Sequence, residues 1–135
     1  MIESVDEFVR LRASENPDDY DRAANEEAPE AIWLEVVDRF PDMRSWVAHN
    51  KTVPLAVLKL LAKDEDPNVR FTVAGKRKLD DALFRDLARD DDETVRHRVA
   101  MNAKTPRDLV GLLCRDKARS VAEAARKRLR QSSNS

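Results

Sequence analysis

Glycine is nearly missing, with two in 135 residues. Tight hairpins rely on glycine turns, so a hairpin-rich β fold is excluded. A single cysteine rules out an internal disulfide. It also rules out a zinc site of four cysteines, or of two cysteines and two histidines. Aromatic residues are scarce, at 5%. There is no apolar run of about 18 residues, so no membrane-spanning helix is expected. The start, Met1 to Glu7, is acidic and lacks the basic-then-apolar order of a signal peptide. The expected compartment is cytoplasmic.

What the chain has in quantity is aliphatic and charged residues. Apolar residues make up 41% and charged residues 38%, which suits thin helices with large solvated faces. The net charge of −1 hides a polarity. Residues 1–42 hold 13 acidic and 4 basic side chains, a net of −9; residues 43–135 hold 13 and 21, a net of +8. Such a split bears on partners, not on fold.

The central stretch, Met43 to Asp116, repeats itself at a fixed period. MRSWVAHNKTVPLAVLKLLAKD, VRFTVAGKRKLDDALFRDLARD and VRHRVAMNAKTPRDLVGLLCRD align from Met43, Val69 and Val95. Invariant or near-invariant columns are Arg44/Arg70/Arg96, Val47/Val73/Val99, Ala48/Ala74/Ala100, Leu61/Leu87/Leu113 and Asp64/Asp90/Asp116. Fixed-period self-similarity marks a solenoid, whose units bury their apolar faces by stacking. Each repeat splits into two helices. The first opens at Asp66-Pro67 or Asp92-Glu93, an acidic cap followed in one case by proline at the first helical position. The second opens at Val53-Pro54 and Thr105-Pro106, with Thr105 expected to cap. Leu109, Val110, Leu112 and Leu113 give the last second helix a wide apolar face.

The reading is one α-solenoid domain over residues 1–135. Residues 1–19 form an N-terminal capping helix and connector. The helix is expected at 4–12 from the Ser4/Glu7 capping box, and the connector over Ala13 to Asp19. Residues 20–129 form the repeats, of which Tyr20 to Phe40 is a degenerate first unit. There Asn25 aligns with Asn50 and Asn102, and Trp33 falls in an all-apolar core column. Residues 130–135 form a frayed tail.

The last full repeat resembles the leucine-rich repeat variant (LRV) family, with units of the form V-R-x-x-V-A-x-N-x-x-T-P-x-x-x-L-x-x-L-x-x-D; the helix pairs are also similar to HEAT-like repeats. The resemblance spans residues 20–129 and implies an all-α, short right-handed α-solenoid. It says almost nothing of activity. The 26-residue period is longer than usual for the variant family, which implies fuller second helices. The middle repeat departs from the pattern, with Lys76-Arg77-Lys78-Leu79-Asp80 in place of Asn-x-x-Thr-Pro. The cysteine-rich module that some members carry cannot form here.

No catalytic set is visible, and no cofactor or metal is expected. Cys114 shares a small, buried column with Ala62 and Ala88; His49 and His97 sit in variable columns and read as surface residues. The Arg column is either a ligand-binding stripe or, on the stronger reading, binds turn carbonyls and carboxylates, with the Asp column as its counterpart. Asn50 and Asn102 read as turn residues bonding backbone. Lys59, Lys63, Arg85, Arg89 and Arg115 recur on the second helices. They form either a cationic ladder in a groove, which the HEAT-like resemblance places on the concave side, or cations matched to helix C-termini. Trp46 either covers the junction with the first unit or anchors a partner. The leading reading of function is a non-enzymatic protein-interaction module: an adaptor, an inhibitor or an immunity-type protein. The alternative is a HEAT-like nucleic-acid-binding protein. An overall pI near 6.2 and few aromatics weigh against the alternative.

Overall fold

Polar caps set where the helices begin. Ser4 opens α1 (Val5–Ala13), its hydroxyl accepting the Glu7 N–H at 3.1 Å. Glu7 does not complete the box; its carboxylate pairs with Arg22 at 3.3 Å. Asn16 caps α2 (Pro17–Asn25) by accepting the Asp18 N–H at 2.9 Å, with Pro17 at the first helical position. The expected connector therefore ends at Asn16 rather than at Asp19. Asn16-Pro17 is the same start signal as Asp66-Pro67, and local polarity hid it.

The computed structural model describes residues 1–133, and among them are ten α-helices, one 3-10 turn and no strand. The protein is all-α. Its contacts fall into two compact units, Met1–Leu61 and the chain from Ala62 onward.

The first unit continues with α3 (Glu30–Arg39), the 3-10 turn Pro41–Met43, α4 (Arg44–His49) and α5 (Leu55–Leu61). Its core is built from Ile2, Phe8, Leu11, Trp33, Val36 and Val57, all fully buried. Trp33 meets the Phe8 ring edge-on, with centroids 5.2 Å apart. This is the core position its column implied. Asn50 is completely buried. Its Nδ2 donates to the carbonyls of Ala23 (2.7 Å) and Glu26 (3.0 Å) at the end of α2, while its Oδ1 accepts the Thr52 N–H at 2.8 Å.

The second unit holds α6 (Pro67–Ala74), α7 (Asp81–Leu87), α8 (Glu93–Met101), α9 (Arg107–Leu113) and α10 (Arg119–Ser133). Asp66, Asp80 and Asp92 cap α6, α7 and α8. Val73, Leu87, Val95, Val99, Val121 and Ala125 are buried, in the phase that the columns require. Asn102 repeats the behaviour of Asn50. Its Nδ2 donates to the carbonyls of Ala74 (2.9 Å) and Lys76 (2.7 Å), and its Oδ1 accepts the Lys104 N–H at 2.9 Å. Asn25, aligned with both, is exposed and bonds only its own helix, at the Asp21 carbonyl.

Two further expectations change. Thr105 does not cap α9. Its hydroxyl donates 2.7 Å to the Val99 carbonyl, tying the turn back to α8, and Pro106 takes the cap position without a side-chain bond. The tail is not frayed where it is described: α10 runs to Ser133, and residues 134–135 lie outside the described residues.

Burial sets the cost of truncation. Leu87→Ala removes a side chain that is 1% exposed and should cost about 2–5 kcal/mol. Leu112→Ala, on an exposed face, should stay within about 0.5 kcal/mol. Chemical denaturation compares the two, and equal midpoints would show that the helices are misphased. Asn102→Ala leaves buried carbonyls unpaired and should cost about 2 kcal/mol, against less than about 0.5 kcal/mol for Asn25→Ala. Asn102→Asp should be worse than Asn102→Ala at neutral pH, because a carboxylate would face two carbonyls, and should recover in part in acid.

Candidate protein-binding surface

Arg70, Arg96, Asp90 and Asp116 are committed to holding the second unit together. Arg70 reaches forward to Asp90, Nε to Oδ2 at 2.8 Å and Nη2 to Oδ1 at 3.2 Å. It also reaches back, Nη1 donating to the Asp64 carbonyl at 2.7 Å. Arg96 makes the same set of contacts farther along the chain: Asp116 at 2.9 and 3.2 Å, and the Asp90 carbonyl at 2.7 Å. Each aspartate also accepts the N–H two residues later, at 2.9 Å for Asp64, 2.9 Å for Asp90 and 2.8 Å for Asp116. Bidentate forks of this kind are geometrically specific and strong. The Asp90 hydrogen bond holds the Arg70 guanidinium above its usual pKa. Burial pushes Asp116 up, but the hydrogen bond from Arg96, the Ala118 N–H and the Arg96 charge outweigh it, so its carboxyl lies below the ordinary range. In the first unit Arg44 donates from Nε to the Val37 carbonyl at 2.8 Å.

The five cations of the ladder divide. Lys59 is exposed on α5 of the first unit; the other four belong to the second. Lys63, Arg89 and Arg115 each lie two residues past the end of a short helix, exposed, where a cation complements the helix dipole. Among the described residues none of these three has an ion-pair partner. Arg85 differs. It pairs with Asp81 one turn earlier at 2.7 Å, and with Asp108 of α9 at 2.8 Å. Those two bonds raise the Arg85 pKa, and the Arg85 hydrogen bond lowers that of Asp108. Its charge is answered within the fold.

Beside these residues lies a cleft of about 220 Å³, lined by Arg85, Arg89, Leu109, Leu112, Leu113 and Asp116. Leu112 is 61% exposed at its edge. The wide apolar face of α9 thus exceeds what the core covers, and one leucine is left in water next to an unpaired arginine.

The remaining sequence candidates separate. Cys114 ends α9 as a free, half-buried thiol, more open than its column suggested, because it lies at the helix end. His49 is exposed as expected, whereas His97 is half-buried. His97 lines a second cavity, of about 330 Å³, with Phe71, Glu93, Thr94 and Ser120. No group of three or more His, Cys, Asp or Glu side chains is placed to hold a metal ion among the described residues. No described helix is long and apolar enough to cross a membrane. Trp46 is half-buried, and the Arg12 guanidinium lies 3.5 Å over its ring. Sequence reading passed over Arg12, because its partners come from other helices and no local spacing announces them.

No family model, no curated protein and no solved structure matches this chain.

The Arg96–Asp116 pair makes a sign-definite expectation. The folded pKa of Asp116 is depressed, so its contribution is complete above the unfolded value of about 3.9 and is lost as pH falls through the folded value. Asp116→Asn should therefore flatten the acid limb of stability below about pH 4. Arg96→Met strands a buried carboxylate and should cost about 3 kcal/mol at pH 7, while the double change Arg96→Met/Asp116→Leu should regain most of it. Thermal unfolding across pH measures both; an unchanged acid limb in Asp116→Asn would remove the pair from the stability account.

Proposed function

We propose that the chain is a helical-repeat interaction module of the leucine-rich repeat variant or HEAT-like kind, a short right-handed α-solenoid. It is non-enzymatic and binds a protein partner through the face formed by α7, α9 and their C-terminal turns. The repeat architecture is supported by the bonding pattern of the second unit, where Arg70 and Arg96, one repeat apart, make the same three contacts. The observation that carries the function is the exposure of Leu112 over a cleft edged by Arg89. An apolar anchor flanked by unpaired cations suits a protein surface that offers a hydrophobic side chain and carboxylates. Arg115, next in sequence to the cleft residue Asp116, extends its positive field; Lys63 is the ladder member past the end of α5, and Lys59 the one on the first unit. Arg85 acts as a rim residue, with its charge already shared between Asp81 and Asp108.

The same geometry speaks against a nucleic-acid backbone. Asp81, Asp86 and Asp108 are exposed on α7 and α9, between and beside the arginines. A phosphate chain laid there would meet carboxylates as often as cations.

The test is affinity capture of the partner from the native cell, followed by binding measurements on the captured protein. Changing Lys63, Arg89 and Arg115 to Gln removes the field without adding repulsion. The triple variant should fold normally and associate about tenfold more slowly at low salt, with a shallower salt dependence. Leu112→Ala should mainly speed dissociation. Wild-type affinity and salt dependence in the triple variant would reduce the ladder to a solvated, dipole-matched face. Tight, steeply salt-dependent binding of duplex DNA would favour the nucleic-acid reading instead.

A further inference from the structure

The first unit carries a cluster of opposite character, made by three helices. Arg12 comes from the last turn of α1, Tyr20 from α2, and Trp46 and His49 from α4. The Arg12 guanidinium carbon lies 3.5 Å from the Trp46 ring centroid and 4.8 Å from that of Tyr20. The Tyr20 hydroxyl approaches His49 Nε2 at 3.5 Å, and the Trp46 and His49 rings meet edge-on at 6.0 Å. Tyr20 is 42% exposed, while Trp46 and Arg12 are half-buried.

Arg12 differs from six other arginines among the described residues. Arg22, Arg39, Arg70, Arg85, Arg96 and Arg119 each pair with a carboxylate. Arg12 has no such partner among the described residues, although 13 of the first 42 residues are acidic. Its Nε is shielded completely and makes no hydrogen bond. Burial lowers its proton affinity, with Tyr20 acting in the opposite sense. The guanidinium lies against both rings, closer to Trp46 than to Tyr20. A guanidinium fixed in this way has lost its rotamer freedom in advance, and its planar fork matches a carboxylate.

The surroundings limit what can bring that carboxylate. Glu15, Asp18 and Asp21 are exposed on the adjoining loop and on α2, and Asp19 is tied to Ser14 at 2.8 Å. A polyanion such as nucleic acid or an anionic membrane would be repelled by these groups before it reached Arg12. A basic segment would be drawn in by them. Trp, Tyr and Arg are also the three side chains most enriched at interface hot spots.

We infer that Arg12, Tyr20 and Trp46 form a docking site for a protein segment rich in Lys or Arg that carries a single Asp or Glu, whose carboxylate bonds the Arg12 fork while its basic residues face the acidic helix α2. The site lies in the first unit and does not depend on the cleft of the second. It uses Trp46 as a partner anchor, with Arg12 as the residue that sets specificity.

Random twelve-residue peptides displayed on phage provide the test. They are selected on the immobilised full-length chain after depletion on Arg12→Lys, which keeps the charge but loses the fork and much of the stacking. The recovered peptides should carry one carboxylate among several basic residues. Replacing that residue by Gln or Asn in a synthetic peptide should weaken binding by about tenfold or more. Arg12→Lys should erase this difference, and Trp46→Ala should weaken both peptides. The Trp46 indole N–H signal should shift on titration and the buried Trp33 signal should not. The inference is overturned if no peptide is enriched over the depleted pool, or if the enriched peptides lack a carboxylate. It is equally overturned if the Glu-to-Gln change is silent on a folded wild-type chain, or if a DNA duplex competes for the Trp46 shift. Circular dichroism on Arg12→Lys guards against misreading an unfolded variant, and the peptide exchange on wild type stands without any protein variant.

Discussion

Short helices make helix ends the governing constraint of this molecule. Four of the ten helices among the described residues, α4, α5, α7 and α9, have six or seven residues. Helices of that length are unstable alone, and almost every backbone group in them is an end group. The chain meets this with side chains that reach from one segment to the carbonyls of another. Asn50 and Asn102 close the ends of α2 and α6, Thr105 closes α8, and Arg44, Arg70 and Arg96 take the carbonyls of Val37, Asp64 and Asp90. Arg128 on α10 extends the pattern by reaching the Met101 carbonyl at 3.3 Å. Apolar columns then pack against ends already satisfied.

This division explains where the basic excess of residues 43–135 goes. Arg70 and Arg96 are consumed by the fold, and Arg85 is shared between two aspartates. Lys63, Arg89 and Arg115 are not, and they stand where the helix dipole also favours a cation. The same residue type thus serves the fold at one column and is left open to solvent at another. The difference between them is burial: the Arg96 side chain is 6% exposed, and Arg89 stands open to solvent.

Much of this was legible in the sequence. The Val, Ala and Leu columns gave the core phase, since one buried position recurs in each repeat. Asp66 and Asp92 gave two helix starts, and the Arg and Asp columns gave their pairing. Asn16-Pro17 carried the same signal as Asp66-Pro67 but was lost among acidic neighbours. Thr105-Pro106 looked like a cap, yet burial offered its hydroxyl a better acceptor at Val99. The Asp81–Arg85 spacing was visible as a one-turn pair, and it should have removed Arg85 from the free cations. Arg12 and Trp46 had no such signal. They are far apart along the chain, and only the packing of α1 against its neighbours brings them together.

The span of the ties has a consequence for how quickly the chain can fold. Arg70–Asp90 and Arg96–Asp116 each bridge 20 residues, Asn50–Ala23 bridges 27 and Asn102–Ala74 bridges 28. All of these loops are short, and closing any one of them costs nearly the same entropy as closing another. None of these four ties has to wait for the whole chain. Helical proteins rich in contacts of such modest span fold faster than sheets built from non-local pairings. On a ribosome, the ties within Met1–Leu61 can close before the second unit has emerged.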